Sequence, residues 1–355
     1  MKRILFTGYA PVHFVCFRPI YERLRRLDGV QVMVSGGREP GDDGEGPPVT
    51  AAQLYRPFRI PPERVLSLDQ MRRQRFDMVF CAHVSGYFPR DDRERVQIFH
   101  GLSFRNMAVR RDVLVYDHLF ITGPYMMRAF HENQLLRAGD PRCVPIGFPK
   151  VDRLVDGSLD RKAILRRLGL SGRRQVVLYA PTGQRMNSLE TGVGEEVVRR
   201  LRACGRYDVL IKLHDHPRDG SVDWPRQLRS LLDRHTKLVM DYDITPCLYV
   251  ADALITDASS VSSEYALLDR PMVFLDVPQL LDAMRTKGVS LDLDTWGRKG
   301  GVTVRWPDEA VEAVRWSLAH SADRSAVRRA MAADLFFNPG KATDAAVAWV
   351  RAQLQ

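Results

Sequence analysis

No stretch of the chain approaches the run of about 18 apolar residues that a membrane-spanning helix needs, so no span is expected. Cysteine is scarce. The five, Cys16, Cys81, Cys143, Cys204 and Cys247, are odd in number and widely spaced. That excludes a disulfide frame and points to a reducing cytoplasm, and the lack of any C-x-x-C pair removes a zinc motif. No Gly-x-Gly-x-x-Gly follows the first apolar run and no P-loop sequence occurs, which sets aside dinucleotide and P-loop chemistry. Internal repeats are absent. The only biased tract is 35–48, rich in Gly, Pro, Asp and Glu, which reads as a mobile loop, either a lid or an insertion. Acidic charge is in deficit, with a formal net charge of +10, which suits anionic partners such as nucleotides, phosphate polymers or anionic lipid. The arginine pairs Arg25-Arg26, Arg72-Arg73, Arg110-Arg111 and Arg166-Arg167 are scattered rather than gathered in a stripe, so nucleic acid is not an expected partner.

What is present is a globular composition, 45% hydrophobic and 27% charged over 355 residues, enough for two domains. Short apolar runs alternate with helical patterns: Arg3–Thr7, Val30–Val34, Phe76–Phe80, Arg95–Phe99 and Asp117–Thr122 in the first half, then Gln175–Ala180, Asp208–Leu213, Lys237–Asp241, Ala253–Ile255 and Met272–Leu275. This alternation predicts an α/β fold with parallel sheets. The opening Met-Lys-Arg-Ile-Leu-Phe mimics the basic-then-apolar order of a signal peptide. Gly8, Pro11 and His13 break it early, so it reads as a first strand, followed by a loop with His13 and a helix through Ile20–Leu27. Amphipathic helices are expected over Glu309–Ala319 and Asp344–Leu354.

Open parallel sheets place ligands at the carboxyl ends of their strands, so the polar residues there are the site candidates. His100-Gly101 follows one strand, and its imidazole can take a proton from an alcohol near neutral pH; the alternative is a loop histidine bonded to backbone. His13 is open to a similar choice. Thr182 follows another strand, either as a phosphate or acceptor donor or as a plain turn residue. Lys212-Leu-His214-Asp215-His216 invites a metal reading, but no other ligand cluster supports it, and no metal or cofactor is expected. The richest stretch is Tyr249–Asp276, read as strand, sharp turn, helix and strand. Ser259 and Ser260 sit where a helix over Val261–Leu268 begins, so they either cap it or hold phosphate oxygens alongside its unpaired N–H groups.

The order of these pieces carries a resemblance. Asp252-Ala-Leu-Ile-Thr-Asp-Ala-Ser-Ser-Val261 resembles the signature Asp-x-Leu-Ile-Thr-Asp-Tyr-Ser-Ser of the CDP-glycerol glycerophosphotransferase family, with Ala258 in place of the tyrosine. His100-Gly101, Thr122-Gly-Pro-Tyr125, Gly147-Phe-Pro-Lys-Val-Asp152, Tyr179-Ala-Pro-Thr182, Lys212-Leu-His214 and Asn338-Pro-Gly-Lys341 agree in order. The resemblance implies two Rossmann-like domains facing across a cleft, the GT-B arrangement: an acceptor domain over 1–155, a nucleotide-donor domain over 156–335, and a final helix over 336–355 returning to the first. It implies transfer of a polyol phosphate, most simply glycerol phosphate from a CDP-linked donor, to a hydroxyl of a lipid-linked or glycan acceptor, with release of CMP at the cytoplasmic face of an anionic membrane. His100 would be the general base and His214 would stabilise the departing nucleotide. Ser259, Ser260, Val261, Thr182, Lys212, Asp257, Glu264 and Thr245 would bind the donor, Glu264 at the ribose or else as an exposed helix residue. His13, Gly101 and Ser103 would meet the acceptor. A nucleotide-sugar glycosyltransferase or UDP-GlcNAc epimerase-like enzyme of the same fold, and a non-catalytic nucleotide-binding protein, are the alternatives.

Overall fold

Alternating apolar strands and helices resolve into two parallel six-stranded sheets, each the core of its own unit. A computed structural model describes residues 1–39, 48–83, 87–101, 109–214, 222–286 and 292–355. Most of the 35–48 tract, together with Ser103, Asp215 and His216, lies outside the described residues. One unit gathers the described residues up to Asp152 together with Asp334–Gln355; the other runs Arg153–Ala333.

The first sheet is built from β1 (Lys2–Gly8), β2 (Val30–Gly36), β3 (Arg75–Cys81), β4 (Asp91–Ile98), β5 (His118–Ile121) and β6 (Cys143–Pro145). Its order, β2-β1-β3-β4-β5-β6, reverses direction between β1 and β3. Such a switch point is where an open α/β sheet leaves a crevice for a ligand. Phe6 of β1 stacks on Phe80 of β3 at 4.7 Å and meets Phe17 at 4.9 Å, and all three are fully buried. Each such ring contributes about 1.5–3 kcal/mol through burial. β4 starts four residues earlier than its apolar run because Asp91 and Arg93 pair with Arg75 and Asp77 of β3. The helix after β1 also starts early, at Pro11 rather than near Ile20, since Pro11 occupies the first helical position where its missing N–H costs nothing. His13 is therefore a buried residue of the first helical turn, not a loop residue.

Several motif pieces turn out to hold the C-terminal segment onto this unit. Phe337 N–H donates to Thr122 O at 2.7 Å, and Asn338 Nδ2 donates to Pro145 O and Ile146 O at 3.1 and 3.0 Å. The Asp152 carboxylate accepts from Ala342 N and Thr343 N at 3.0 and 2.7 Å, capping the helix Ala342–Leu354 from outside it. Gly147 has φ +99°, and a Cβ there would sit 2.1 Å from Phe337 O. Gly147→Ala should therefore cost about 2 kcal/mol or more through strain and backbone collision, read as a lower midpoint in thermal unfolding.

The second sheet contains β7 (Gln175–Tyr179), β8 (Tyr207–Ile211), β9 (Thr236–Leu238), β10 (Ala253–Thr256), β11 (Met272–Leu275) and β12 (Val302–Val304), in the order β12-β11-β10-β7-β8-β9. Its switch point falls between β7 and β10. The helices Val193–Cys204 and Pro307–Ala319 cover it, burying Val197, Val198, Leu201, Ala310 and Val314 against the strands. β6 and β12, three residues each, and the helix Ser325–Leu335 have no counterpart in the expected elements, being too short or too weakly patterned to read.

Candidate active site

Each switch point carries a cluster of polar side chains. In the first unit they are histidines: His13 in the helical turn after β1, His83 after β3 and His100 after β4. The His13 and His100 rings lie 4.8 Å apart, His13 and His83 5.7 Å, and His83 and His100 6.3 Å. Tyr9 packs edge-on against His13 and His83 at 4.6 and 4.4 Å. Gly8 permits this crowding, since a Cβ there would meet His13 Cβ at 2.7 Å.

Hydrogen bonds assign the ring protons. His100 Nδ1 lies 2.6 Å from Ala82 O, a carbonyl that can only accept, so Nδ1 carries the proton and Nε2 of the neutral ring carries the lone pair. His13 is the reverse. Its Nδ1 accepts from Tyr9 N–H at 3.2 Å, which leaves the proton on Nε2. Adjacent imidazoles thus present a base and a donor, a pairing that suits proton removal beside a forming negative charge. Among the described residues no group of three or more His, Cys, Asp or Glu is placed to hold a metal ion. Sequence reasoning singled out His13 and His100 but missed His83. Its position after a strand was the same signal that marked His100. Gly101 follows His100 directly, half-buried.

In the second unit the organising residue is Asp257, fully buried at the end of β10. Its Oδ1 accepts from Thr182 N and Ala258 N at 2.8 and 2.7 Å, and its Oδ2 from Ser188 N and Ser188 Oγ at 3.0 and 2.8 Å. Asp257 was expected to touch the donor. In this structure both of its oxygens are occupied by four protein donors, which tie the loop after β7 to the turn after β10. Tyr179 extends the network, its hydroxyl 2.8 Å from Ser188 Oγ. Burial and the Asp257 charge push this phenol well above its ordinary pKa, against the lowering bond to Ser188, so it remains a donor.

The turn itself differs from a simple cap. Ser260 occupies the N-cap position of the helix Val261–Tyr265 but makes no side-chain cap bond, and Ser259 O accepts from Ser262 Oγ at 2.9 Å. The capping alternative is therefore excluded, and the N–H groups of Ser259, Ser260 and Val261 take no partner among the described residues. The helix is short, five α-helical residues followed by the 3-10 turn Ala266–Leu268, so local N–H groups count for more here than a macrodipole. Glu264 is buried, not the exposed helix residue that offered its alternative reading.

Thr182, after β7, is buried with its N–H on Asp257. Lys212 and His214 follow β8. The Lys212 ammonium is buried and donates to Leu213 O at 2.7 Å, while His214 is exposed and lies over Gly183, where a Cβ would meet its Nδ1 at 2.5 Å. Thr245 starts the helix Thr245–Val250, its N–H on Asp243 Oδ1 at 2.9 Å and its buried hydroxyl without a partner among the described residues. The second sheet thus brings Thr182, Lys212, His214, Asp257 and Ser259 to one carboxyl edge.

The sequence profile of the CDP-glycerol:poly(glycerophosphate) glycerophosphotransferases matches residues 78–347, about three quarters of the chain. The chain belongs to this family. Within the glycerophosphotransferase match fall His83, His100, His214 and the Ser259-Ser260 turn; His13 precedes it. A teichoic acid glycerol-phosphate transferase of Staphylococcus aureus is 27% identical over 184 residues, 48% of this chain and 43% of that protein. The chain spans about half the length or less of the curated relatives it matches, 39 to 48% of the first three. Among solved structures, the wall teichoic acid polymerase TagF superposes with a TM-score of 0.70 at 17% identity, covering 99% of this chain and 88% of that one. A Staphylococcus aureus MnaA–UDP structure superposes with a TM-score of 0.62 at 12% identity, covering 100% and 97%. At these identities the structures establish the fold: two Rossmann-like α/β units of the GT-B type.

Proposed function

We propose that this glycerophosphotransferase-family protein transfers glycerol phosphate from CDP-glycerol to a hydroxyl of a glycerophosphate-bearing acceptor and releases CMP, in the synthesis of a cell-surface polymer. The observation that carries the reading is the tautomer of His100, whose Nδ1–H is committed to Ala82 O so that Nε2 is the basic nitrogen. In the step, Nε2 takes the proton of the acceptor hydroxyl as its oxygen attacks the phosphorus bearing glycerol. The bond from that phosphorus to the oxygen bridging to the cytidine phosphate breaks, and CMP leaves with the electron pair. His13 Nε2–H is a donor beside the base and supports the forming charge or orients the acceptor. The N–H groups at Ser259, Ser260 and Val261, with His214 and Lys212, are assigned to the donor phosphates and to the charge growing on CMP; Thr182, Thr245 and Glu264 are assigned to the rest of the donor. Gly101 lets the acceptor approach the backbone, and Ser103 is assigned to the acceptor from the sequence alone. No cofactor is assigned a part.

The setting is proposed as the inner face of the plasma membrane. The net charge of +10 supports docking to anionic lipid there, and among the described residues no helix is long and apolar enough to cross a membrane.

A thermal-shift panel of CDP-glycerol, CDP-ribitol, CMP, UDP and UDP-sugars tests the donor. A ligand at about 100 times its Kd adds roughly 2.7 kcal/mol, which raises the midpoint of a domain this size by several degrees. Cytidine compounds alone are expected to stabilise, with a smaller shift in His214→Ala. Stabilisation by uridine compounds alone would transfer the reading to a nucleotide-sugar enzyme of the MnaA kind, and silence from every nucleotide would favour a non-enzymatic role.

A further inference from the structure

Arg298, which follows the helical turn Leu293–Gly297, reaches Asp276 just past the end of β11 with a guanidinium that has part of its hydrogen-bonding capacity unused. Arg298 is 14% exposed in its side chain, and its Nη1 donates to Asp276 Oδ1 at 2.6 Å. Its Nε and Nη2 are buried and take no partner among the described residues. Those two N–H groups share one edge of the planar guanidinium, the edge that meets two oxygens of one anionic group side by side. Buried charged donors are costly to leave unmatched, and folded proteins match nearly all of them. The edge is therefore a built acceptor position.

Its place on the sheet identifies the acceptor. Asp276, which holds the opposite corner of the guanidinium, is itself fixed by its N–H on Val304 O at 2.8 Å. The register of β10 and β11 pairs Thr256 with Phe274, so two residues on, Asp276 is level with Ala258 and one strand away from the Ser259-Ser260 turn. Fork and turn thus share the carboxyl edge of one sheet. Arg298 and Asp276 cancel as a pair, so the fork selects by bidentate shape rather than by net charge.

We infer that the Nε and Nη2 edge of Arg298 is a phosphoryl-binding fork that takes two non-bridging oxygens of one phosphoryl group of a substrate. The inference rests on the proposed transferase reading for its two sources: a phosphate of the nucleotide donor, or a phosphodiester of the acceptor chain. Arg298 is then a substrate-binding residue that no sequence motif marked.

Calorimetric titration of the full chain and of Arg298→Lys and Arg298→Gln tests it, with cytidine, CMP, CDP, CDP-glycerol, inorganic pyrophosphate and a glycerol phosphodiester as probes. The lysine variant keeps a charge against Asp276, and so the fold, but loses the fork. If the donor is the source, CDP, CDP-glycerol and pyrophosphate bind about tenfold to a hundredfold more weakly in both variants, while cytidine is unchanged. If the acceptor is the source, the glycerol phosphodiester weakens by that factor and the cytidine nucleotides do not. Affinities for every probe within twofold of the parent in the lysine variant overturn the fork. A parent protein that binds pyrophosphate but no cytidine compound overturns the donor assignment instead, and its pyrophosphate affinity still reports on Arg298.

Discussion

His100→Ala is expected to lower the rate of polyol-phosphate transfer by about 10²- to 10⁴-fold, the usual contribution of a positioned general base, with donor affinity unchanged within a few fold. The split follows from placement. His100 is exposed at the end of β4 in the unit built from the first sheet, where its Nδ1 donates to Ala82 O and its ring lies beside those of His13 and His83. The Phe6, Phe17 and Phe80 stack that holds β1 and β3 together does not involve it, so stability should fall by well under the loss in rate. Donor affinity is assigned to groups of the other sheet, so the thermal shift with a cytidine nucleotide should survive. His100→Gln sharpens the test. An amide can still donate to Ala82 O but has no basic nitrogen, so it should be as inactive as alanine. A glutamine variant with near-parental turnover would show that His100 positions the acceptor and leaves the proton to another group, and His13 would be the next to replace.

Much of the fold was legible because buried parallel strands are written as unbroken apolar runs. Val176–Tyr179 and Met272–Leu275 can hardly be anything else once flanked by turns and helices. The amino half of β4 was not legible, since Asp91 and Arg93 look like loop residues until their partners on β3 are known. The site was legible only as far as strand ends could be found. Position alone marked His100, His214 and the Ser259-Ser260 turn, and should have marked His83. What sequence could not separate was a motif residue that touches substrate from one that holds the fold. Gly147, Asp152 and Asn338 belong to motifs as distinct as those of the site, yet they clamp the C-terminal segment. Arg298 left no trace at all, because the meaning of one arginine among many lies in which of its nitrogens are already used.

Asp257→Ala carries the largest expected loss of stability. Four donors converge on this carboxylate: the N–H groups of Thr182, Ala258 and Ser188, and the Ser188 hydroxyl. Because that hydroxyl is spent on Asp257, the Tyr179 phenol must donate to Ser188 Oγ, so the acceptor chain of the whole network ends on Asp257. Removing it strands buried donors at about 1–3 kcal/mol apiece, partly relieved by water entering the space left behind. A net loss of about 4 kcal/mol follows, which for the second unit corresponds to a fall in Tm of roughly 8–16 °C. Asp257→Asn is nearly isosteric, yet its amide nitrogen must face either the Thr182 and Ala258 pair or the two donors of Ser188. It should therefore recover less than half of the loss. Nucleotide affinity should fall in step, since the carboxylate is what ties the loop after β7 to the Ser259-Ser260 turn. An alanine variant with parental Tm and weakened nucleotide binding would reverse the assignment and return Asp257 to direct contact with the donor.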